Sequence, residues 1–417
     1  MVNQKAELRS LAFFGLFSPK QSGMVDYTED LARELGQEFE LVFYYGPGNP
    51  PNAVAHLGRV RPVSEYRQEE DLALFQICNN TDLSYQYELI KETGGVVVLH
   101  DEVLFDLLYG VYQTRWKEYL REVLYNEGLR GLWYLLQGPK LSPRAYAAQI
   151  RQNLLEHPDR RSRFPCSKRM SSSATALVVH SQSLAKAARA HNPSCPLAVI
   201  PHGVHEVAIP RSKQASREKL KLERMGIGPE SLVCVSFGFL QRHKRLDVCL
   251  QAFARFHAQH PDSHYLLIGP RDPEFDVEAQ ARLHGVEQAI TVLDGFLPMP
   301  EVNEHLNASN VALNLRWPTM GASSGTLYKC LAAGLPVVVT NEGSFSEFPD
   351  SCVFRVERGA DEVERIAALL HVLQTQPELA QSMGQAAREL VEREYSWPVV
   401  GKAYAEFLRA THRALHP

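Results

Sequence analysis

Short apolar runs alternate with stretches of helical spacing along most of the chain. In the first half the runs are LAFFGLF (11–17), FELVFYY (39–45), DLALFQICN (71–79), GGVVVLHDE (94–102), ATALVVHS (174–181) and PLAVIPHG (196–203). MVDYTEDLARELG (24–36) and SYQYELIKET (84–93) instead place apolar residues near every third or fourth position, the period of a helix with one face in a core. Continuous apolar strands separated by helices predict a parallel sheet covered on both faces. Residues 103–165 break the pattern. They are rich in Leu, Tyr, Arg and Trp, carry no strand signal, and predict several helices, among them WKEYLREVLYNEGLRGLWYLLQG (116–138).

The second half repeats the alternation after PRSKQASREKLKLERMGIGPE (210–230), a basic, strandless connector that suits a domain boundary or hinge. Strands are predicted in LVCVSFGFL (232–240), HYLLIGP (264–270), ITVLDGF (290–296), NVALNLR (310–316), PVVVT (336–340) and SCVFRVE (351–357). Helices are predicted in RLDVCLQAFARFHAQHP (245–261), MPEVNEHLNAS (299–309) and a final segment near 397–413. The expected fold class is α/β: two Rossmann-like, doubly wound domains facing a central cleft, with a helical insertion in the first. Ligands of such sheets sit at the carboxyl ends of the strands.

Composition narrows the field. The 417 residues fit two or three domains, and 45% apolar with 22% charged residues is ordinary for globular proteins. A net charge of −4 gives no reason to expect a nucleic-acid partner. The seven cysteines form no C-x-x-C pair, which argues for reduced thiols in a cytoplasmic setting. No apolar run approaches the ~18–20 residues of a spanning helix. LAFFGLF leads into SPKQSG rather than a cleavage site, and so reads as a strand and not a signal peptide. Contact with the inner face of a membrane stays open.

Candidate chemistry falls at the predicted strand ends. In MGASSGTLYKCLAAGLPVVVT (320–340), Ser323 or Ser324 is the expected cap of a helix ending before Gly334. The free N–H groups of Gly325, Thr326 and Leu327 then favour an anion. The other reading of this stretch is an ordinary capped helix. In FGFLQRHKRLD (237–247), a strand ends at Gly238 and Arg242, Lys244 and Arg245 collect before a helix. Cations are unfavourable there, so either they are solvated or they meet a phosphate.

VVVLHDE ends in His100 and Asp101, either a structural pair or groups that meet a substrate hydroxyl. His180 and His202 repeat the layout and are read as structural, and the three histidines are not spaced as metal ligands. Gly23, in FSPKQSGMVDYTEDL (17–31), lets a substrate approach a helix start. G-x-G-x-x-G is absent, which disfavours an NAD enzyme.

Together these motifs resemble the GT-B fold glycosyltransferases, specifically the large retaining group called family 4, or glycosyl transferases group 1. The resembling stretches are VSFGFL with Lys244, LLIGP (266–270), LDGFLPMPEVNEHLNASNVALNLR (293–316), SSGTLYKCLAAGLPVVVTNEGSFSEFPD (323–350), SGMVDYTEDLA and VVVLHD. The resemblance implies a retaining transfer from a nucleoside-diphosphate sugar to a carbohydrate, lipid-linked or other hydroxyl acceptor, without metal or cofactor. Residues 1–205 would hold the acceptor and 206–395 the donor, with 396–417 crossing back to the first domain. The base would lie against Gly295, Phe296 and Leu297. The diphosphate would meet Lys244, Arg242, Gly238 and the N–H groups from Ser323 to Leu327, and His100 would touch the donor sugar.

The chain also departs from the family. A Glu-x7-Glu pattern is common there, but here Ala322 replaces the first Glu and Lys329 or Cys330 stands near the second. Glu347 is a candidate substitute for ribose binding. Phe239 replaces a frequent arginine, and Arg242 is the candidate to supply that charge. The alternatives are a catalytically weak sugar-nucleotide-binding protein, or another GT-B enzyme such as a sugar-nucleotide epimerase or a phosphorylase.

Overall fold

The computed structural model describes residues 7–20, 22–48, 50–136, 164–205, 213–225 and 227–417. The chain divides into two units. The first comprises residues 1–203, 320–323 and 397–417, and the second residues 204–319 and 324–396.

Seven strands form the first sheet: β1 (Ser10–Phe14), β2 (Glu40–Tyr45), β3 (Gly58–Pro62), β4 (Leu72–Ile77), β5 (Val96–Leu99), β6 (Ala176–Val179) and β7 (Leu197–Val199). Their order is β3-β2-β1-β4-β5-β6-β7 and every pairing is parallel. Every residue of the central strands β4, β5 and β6 is buried, as their unbroken apolar runs require of a sheet covered on both faces. β3 has no counterpart in the sequence reading. Its GRVRP alternates charge with Val and ends in Pro, a composition tolerated at the sheet edge that it occupies.

The last helix, Trp397–Leu415, belongs to this unit. Trp397 is buried against the Tyr27 ring at 5.2 Å, and the Tyr27 and Tyr404 hydroxyls lie 2.7 Å apart. Gly203 admits the contact, since a Cβ there would come within 2.4 Å of the indole. In the region expected to be helical, Phe105–Tyr112 and Trp116–Leu136 are described, the latter broken at Gly128. Buried Glu122 anchors the longer segment by accepting from Arg169 Nε (2.9 Å) and Lys91 (3.1 Å). The helices expected within 137–163 lie outside the described residues.

The second sheet contains β8 (Val233–Phe237), β9 (His264–Ile268), β10 (Ile290–Leu293), β11 (Val311–Asn314), β12 (Val337–Thr340) and β13 (Val353–Val356), in the order β10-β9-β8-β11-β12-β13 and again all parallel. The connector read as a hinge contains a helix, Lys213–Leu220. Arg217 explains it: its buried guanidinium donates to the carbonyls of Ala308, Gly228, Pro229 and Ser231 and to Asn310 Oδ1, which fastens the helix to the unit. A short helix, Val277–Leu283, also escaped the sequence reading.

A polar seam crosses the carboxyl ends of β4, β5 and β6. The His180 Nδ1–H donates to the Ile200 carbonyl (2.8 Å), because a carbonyl only accepts. A neutral His180 then accepts at Nε2 from His100 Nδ1–H (2.9 Å). That leaves His100 Nε2 an acceptor, 2.7 Å from the Gln76 side-chain amide. The neutral chain therefore needs the NH2 face of that amide turned toward His100. Rings of Tyr27 and His202 pack around it.

Burial drives both histidines below 6.5, His100 strongly, with the nearby charges of His180 and His202 adding to it, and His180 to about 4. The unfolded chain protonates near 6.5 and so binds more protons than the folded one below that pH. Stability is therefore full above about 6.5 and falls as pH drops, by up to ~1.4 kcal/mol per pH unit for each histidine. Urea unfolding of the wild type between pH 7 and 5 is expected to show this loss. His180→Gln should flatten the slope, and an unchanged slope would assign the loss to other groups.

Candidate functional site

Two stretches far apart in sequence meet in the second unit. At the end of β8, Gly238 turns the chain with φ +97°. Lys244, in the turn Arg242–Lys244, folds back so that its ammonium donates to the Phe237 carbonyl at 2.6 Å. β8 lies beside β11, so the helix Gly325–Ala332, which follows β11, starts at the same edge. A Cβ on Gly238 would lie 2.6 Å from Lys244 Nζ and 2.8 Å from Thr326 Cγ2. Strand end, lysine and helix start thus converge on one point.

Ser324, and not Ser323, caps that helix, accepting from Leu327 N–H at 3.4 Å. Asn314, buried at the end of β11, donates to Thr326 Oγ1 (3.0 Å) and accepts from Ser324 Oγ (3.3 Å), and the two hydroxyls are 3.0 Å apart. This neutral ring fixes the first turn. The opening N–H groups of a helix have no acceptor inside it and, with the helix dipole, attract an anion. Ser323 and Ala322 fall in the segment 320–323 that groups with the first unit.

The cations are sorted by the fold. Lys244 is half-buried, and burial together with the Arg316 guanidinium pushes its pKa down to about 7. Arg316, just beyond β11, is a cation that the sequence reading did not single out. Its guanidinium lies 3.2 Å from His243 Nε2, and its signal was a second strand-end cation in NVALNLR. Arg242 is exposed. Arg245, at φ +53°, is held by Glu362 at 2.7 Å and so is already paired.

Gly295, at φ +95°, has no neighbour within 4 Å of an added Cβ. Next to it Phe296 is 48% exposed, and its ring meets that of Phe239, 37% exposed, edge to face at 5.2 Å. Leu297 packs against the core. Asp294 pairs with Arg271 at 2.7 Å and steadies this loop. The result is an aromatic wall open to a planar group.

The positions expected to carry carboxylates do not. Lys329 Nζ lies 3.4 Å from Met299 Sδ and 5.8 Å from the Phe237 ring. Cys330 is buried and its thiol is pushed up to about 12. Glu347 is exposed at the end of the turn Gly343–Glu347, where its charge helps raise the Tyr395 hydroxyl.

In the first unit, His100 is buried with both ring nitrogens engaged in the seam. Asp101 accepts from Asn79 N–H at 2.7 Å and ties the ends of β4 and β5 together. Gly23 opens the helix Gly23–Leu35 and faces open space. Among the described residues no cluster of three His, Cys, Asp or Glu side chains could hold a metal ion. No described helix is long and apolar enough to cross a membrane.

Residues 218–390 match the family Glycosyl transferases group 1. Over 208 residues the chain is 24% identical to the alpha-monoglucosyldiacylglycerol synthase of Acholeplasma laidlawii, covering 49% of this chain and 50% of that one. The chain thus spans about half the length of this curated relative. Among solved structures, sucrose-phosphate synthase from Thermosynechococcus elongatus aligns with a TM-score of 0.66 at 13% identity, covering 97% of this chain and 100% of that one. Anabaena Alr3699/HepE in complex with UDP and glucose aligns at 0.63 and 13%, covering 96% and 100%. The chain has the GT-B fold of these structures, and its residues 218–390 are similar to the Glycosyl transferases group 1 family.

Proposed function

We propose that the chain is a retaining, metal-independent glycosyltransferase that moves a sugar from a nucleoside-diphosphate sugar to a hydroxyl acceptor. The observation that carries this reading is the convergence of Gly238, Lys244 and Thr326 at the start of the helix Gly325–Ala332. A diphosphate placed there meets an ammonium short of counter-charge and the positive end of a helix. The Phe239–Phe296 wall takes the base. A UDP complex of a protein with the same fold and a lipid-glycosylating relative are in keeping with this assignment.

Breaking the bond from the anomeric carbon to phosphate leaves oxocarbenium character on the sugar and negative charge on the diphosphate. Lys244, Arg242 and the helix N–H groups stabilise that charge as it grows. The acceptor oxygen attacks from the same face, and its proton passes to the departing phosphate oxygen. No carboxylate base is required, in keeping with Ala322 and Lys329 at the expected carboxylate positions. Those two residues also motivate the second reading, a sugar-nucleotide-binding protein with little turnover.

The exposed side chains Leu124, Leu129 and Trp133 share the segment Trp116–Leu136 with exposed Lys117, Arg121 and Arg130. Apolar groups among cations suit an anionic membrane surface, so we assign the acceptor to a membrane-borne lipid or glycolipid, met at the inner face.

Lys244→Ala should lower transfer from the preferred donor, found by screening UDP-, GDP-, dTDP- and ADP-sugars, by about 100- to 1,000-fold. Unchanged turnover and donor affinity would sink the assignment, and donor binding without turnover in the wild type would favour the binding-protein reading. Because Lys244 titrates near 7, raising the pH from 6.5 to 8.5 discharges it in the free protein. Nucleoside-diphosphate affinity should fall by up to about tenfold per pH unit above 7, and Lys244→Ala should flatten that profile in calorimetry. Trp133→Ser with Arg130→Ser should reduce co-sedimentation with phosphatidylglycerol vesicles at low salt, and equal binding by this double variant would discard the membrane assignment.

A further inference from the structure

A cavity of about 770 Å³ opens in the second unit at the amino-terminal edge of its sheet, away from the strand ends that carry the donor site. Its wall includes the turn after the helix Gly325–Ala332, the start of β12, and one face of the helix Pro377–Leu390. Gly334, at φ +72°, and Gly384 let this turn and helix touch: a Cβ on Gly384 would lie 2.2 Å from the Gly334 carbonyl oxygen. The cavity is therefore walled by tightly packed backbone rather than by loose surface loops.

Two cations face it. Arg388 lies over Gly334 and donates from Nη2 to the Ala333 carbonyl at 2.7 Å, while its buried Nε has no acceptor among the described residues. Lys213 donates to the Ser309 carbonyl. Among the described residues neither cation has a carboxylate partner. The one acid on the wall, Glu378, is exposed. Burial lowers the pKa of both cations, and the Arg217 and Arg388 charges further depress Lys213, to about 8. Arg217, by contrast, has five acceptors and Arg245 has Glu362. An orphaned guanidinium N–H costs free energy unless an acceptor arrives.

We propose that this cavity binds a small organic phosphate. Phosphate oxygens fit the Arg388 guanidinium and the Lys213 ammonium, a planar fork and a point donor respectively. The neutral amides and hydroxyl of Asn310, Gln381, Ser382 and Gln385 line the remaining wall and suit a polyol or sugar body. The volume falls within the range of ~300–1,000 Å³ typical of small-molecule sites. The site sits at the carboxyl end of the helix whose amino end forms the donor cradle, but its assignment does not rest on the donor reading.

The test is thermal unfolding with glucose 6-phosphate and with inorganic phosphate, carried out on the Lys244→Ala protein so that neither probe is held by the donor cradle. Glucose 6-phosphate should raise the midpoint saturably, by about 4 °C at high occupancy. The rise should be lost in Lys213→Gln and in Ser382→Trp, which fills the mouth from an exposed position. UDP binding by the single variants Lys213→Gln and Ser382→Trp should equal that of the wild type, which separates this site from the donor site. The proposal is overturned if glucose 6-phosphate gives no shift, if the shift persists in Lys213→Gln or Ser382→Trp, or if inorganic phosphate alone is bound.

Discussion

Everything at the proposed donor site depends on one constraint, the parallel pairing of β8 with β11. Val311 pairs with Cys234 and Ala312 with Val235. Because both strands run the same way, their carboxyl ends emerge side by side, although the strands are widely separated in sequence. One end delivers Gly238 and Lys244, the other Asn314 and the helix capped by Ser324. An antiparallel pair would have put these groups at opposite edges of the sheet. The glycine is then required for a local reason: any side chain at 238 would occupy the space where Lys244 and Thr326 meet.

The electrostatics follow from what surrounds Lys244. Its ammonium is bonded to a carbonyl oxygen, a neutral acceptor, and the charge that acts on it most is another cation, Arg316. Asn314, Ser324 and Thr326 satisfy one another with neutral groups, so the helix start brings no negative charge of its own. A half-buried cation and a helix dipole pointing at the same place are unfavourable together. That cost is recovered only when an anion arrives. Arg245 shows the opposite outcome one residue later: it is withdrawn into an ion pair with Glu362 and leaves the site.

Much of this was legible in the sequence. The inner strands read clearly because a parallel sheet buried on both faces permits little but apolar residues. The capped helix at 325 and the glycine stop at 334 were legible because capping chemistry is local. The edge strand β3 was not legible: an edge strand needs no apolar run, and GRVRP has none. Helix 213–220 was hidden in a basic connector, because the meaning of Arg217 depends on carbonyls supplied from elsewhere in the fold. Asn314 and Gln76 left a signal that could have been used. Each is a polar residue within an apolar strand, VALN and LALFQI, and both prove buried and hydrogen-bonded. Arg316 gave less: a cation at a strand end becomes informative only once the neighbouring strand is known.

Two buried titratable groups, His100 in the first unit and Lys244 in the second, stand in contrasting surroundings. In the first, His100 and His180 are held neutral and bonded to each other, with Gln76 and the Ile200 carbonyl closing the line. That line engages both nitrogens of each histidine, and its protonation opposes folding. In the second, burial and the Arg316 charge push Lys244 down to about 7. His100, which the sequence put forward as touching the donor sugar, has both ring nitrogens engaged within its own unit. The lysine, placed at a strand end beside a second cation, is the group whose surroundings favour an arriving anion, as the proposed diphosphate would be.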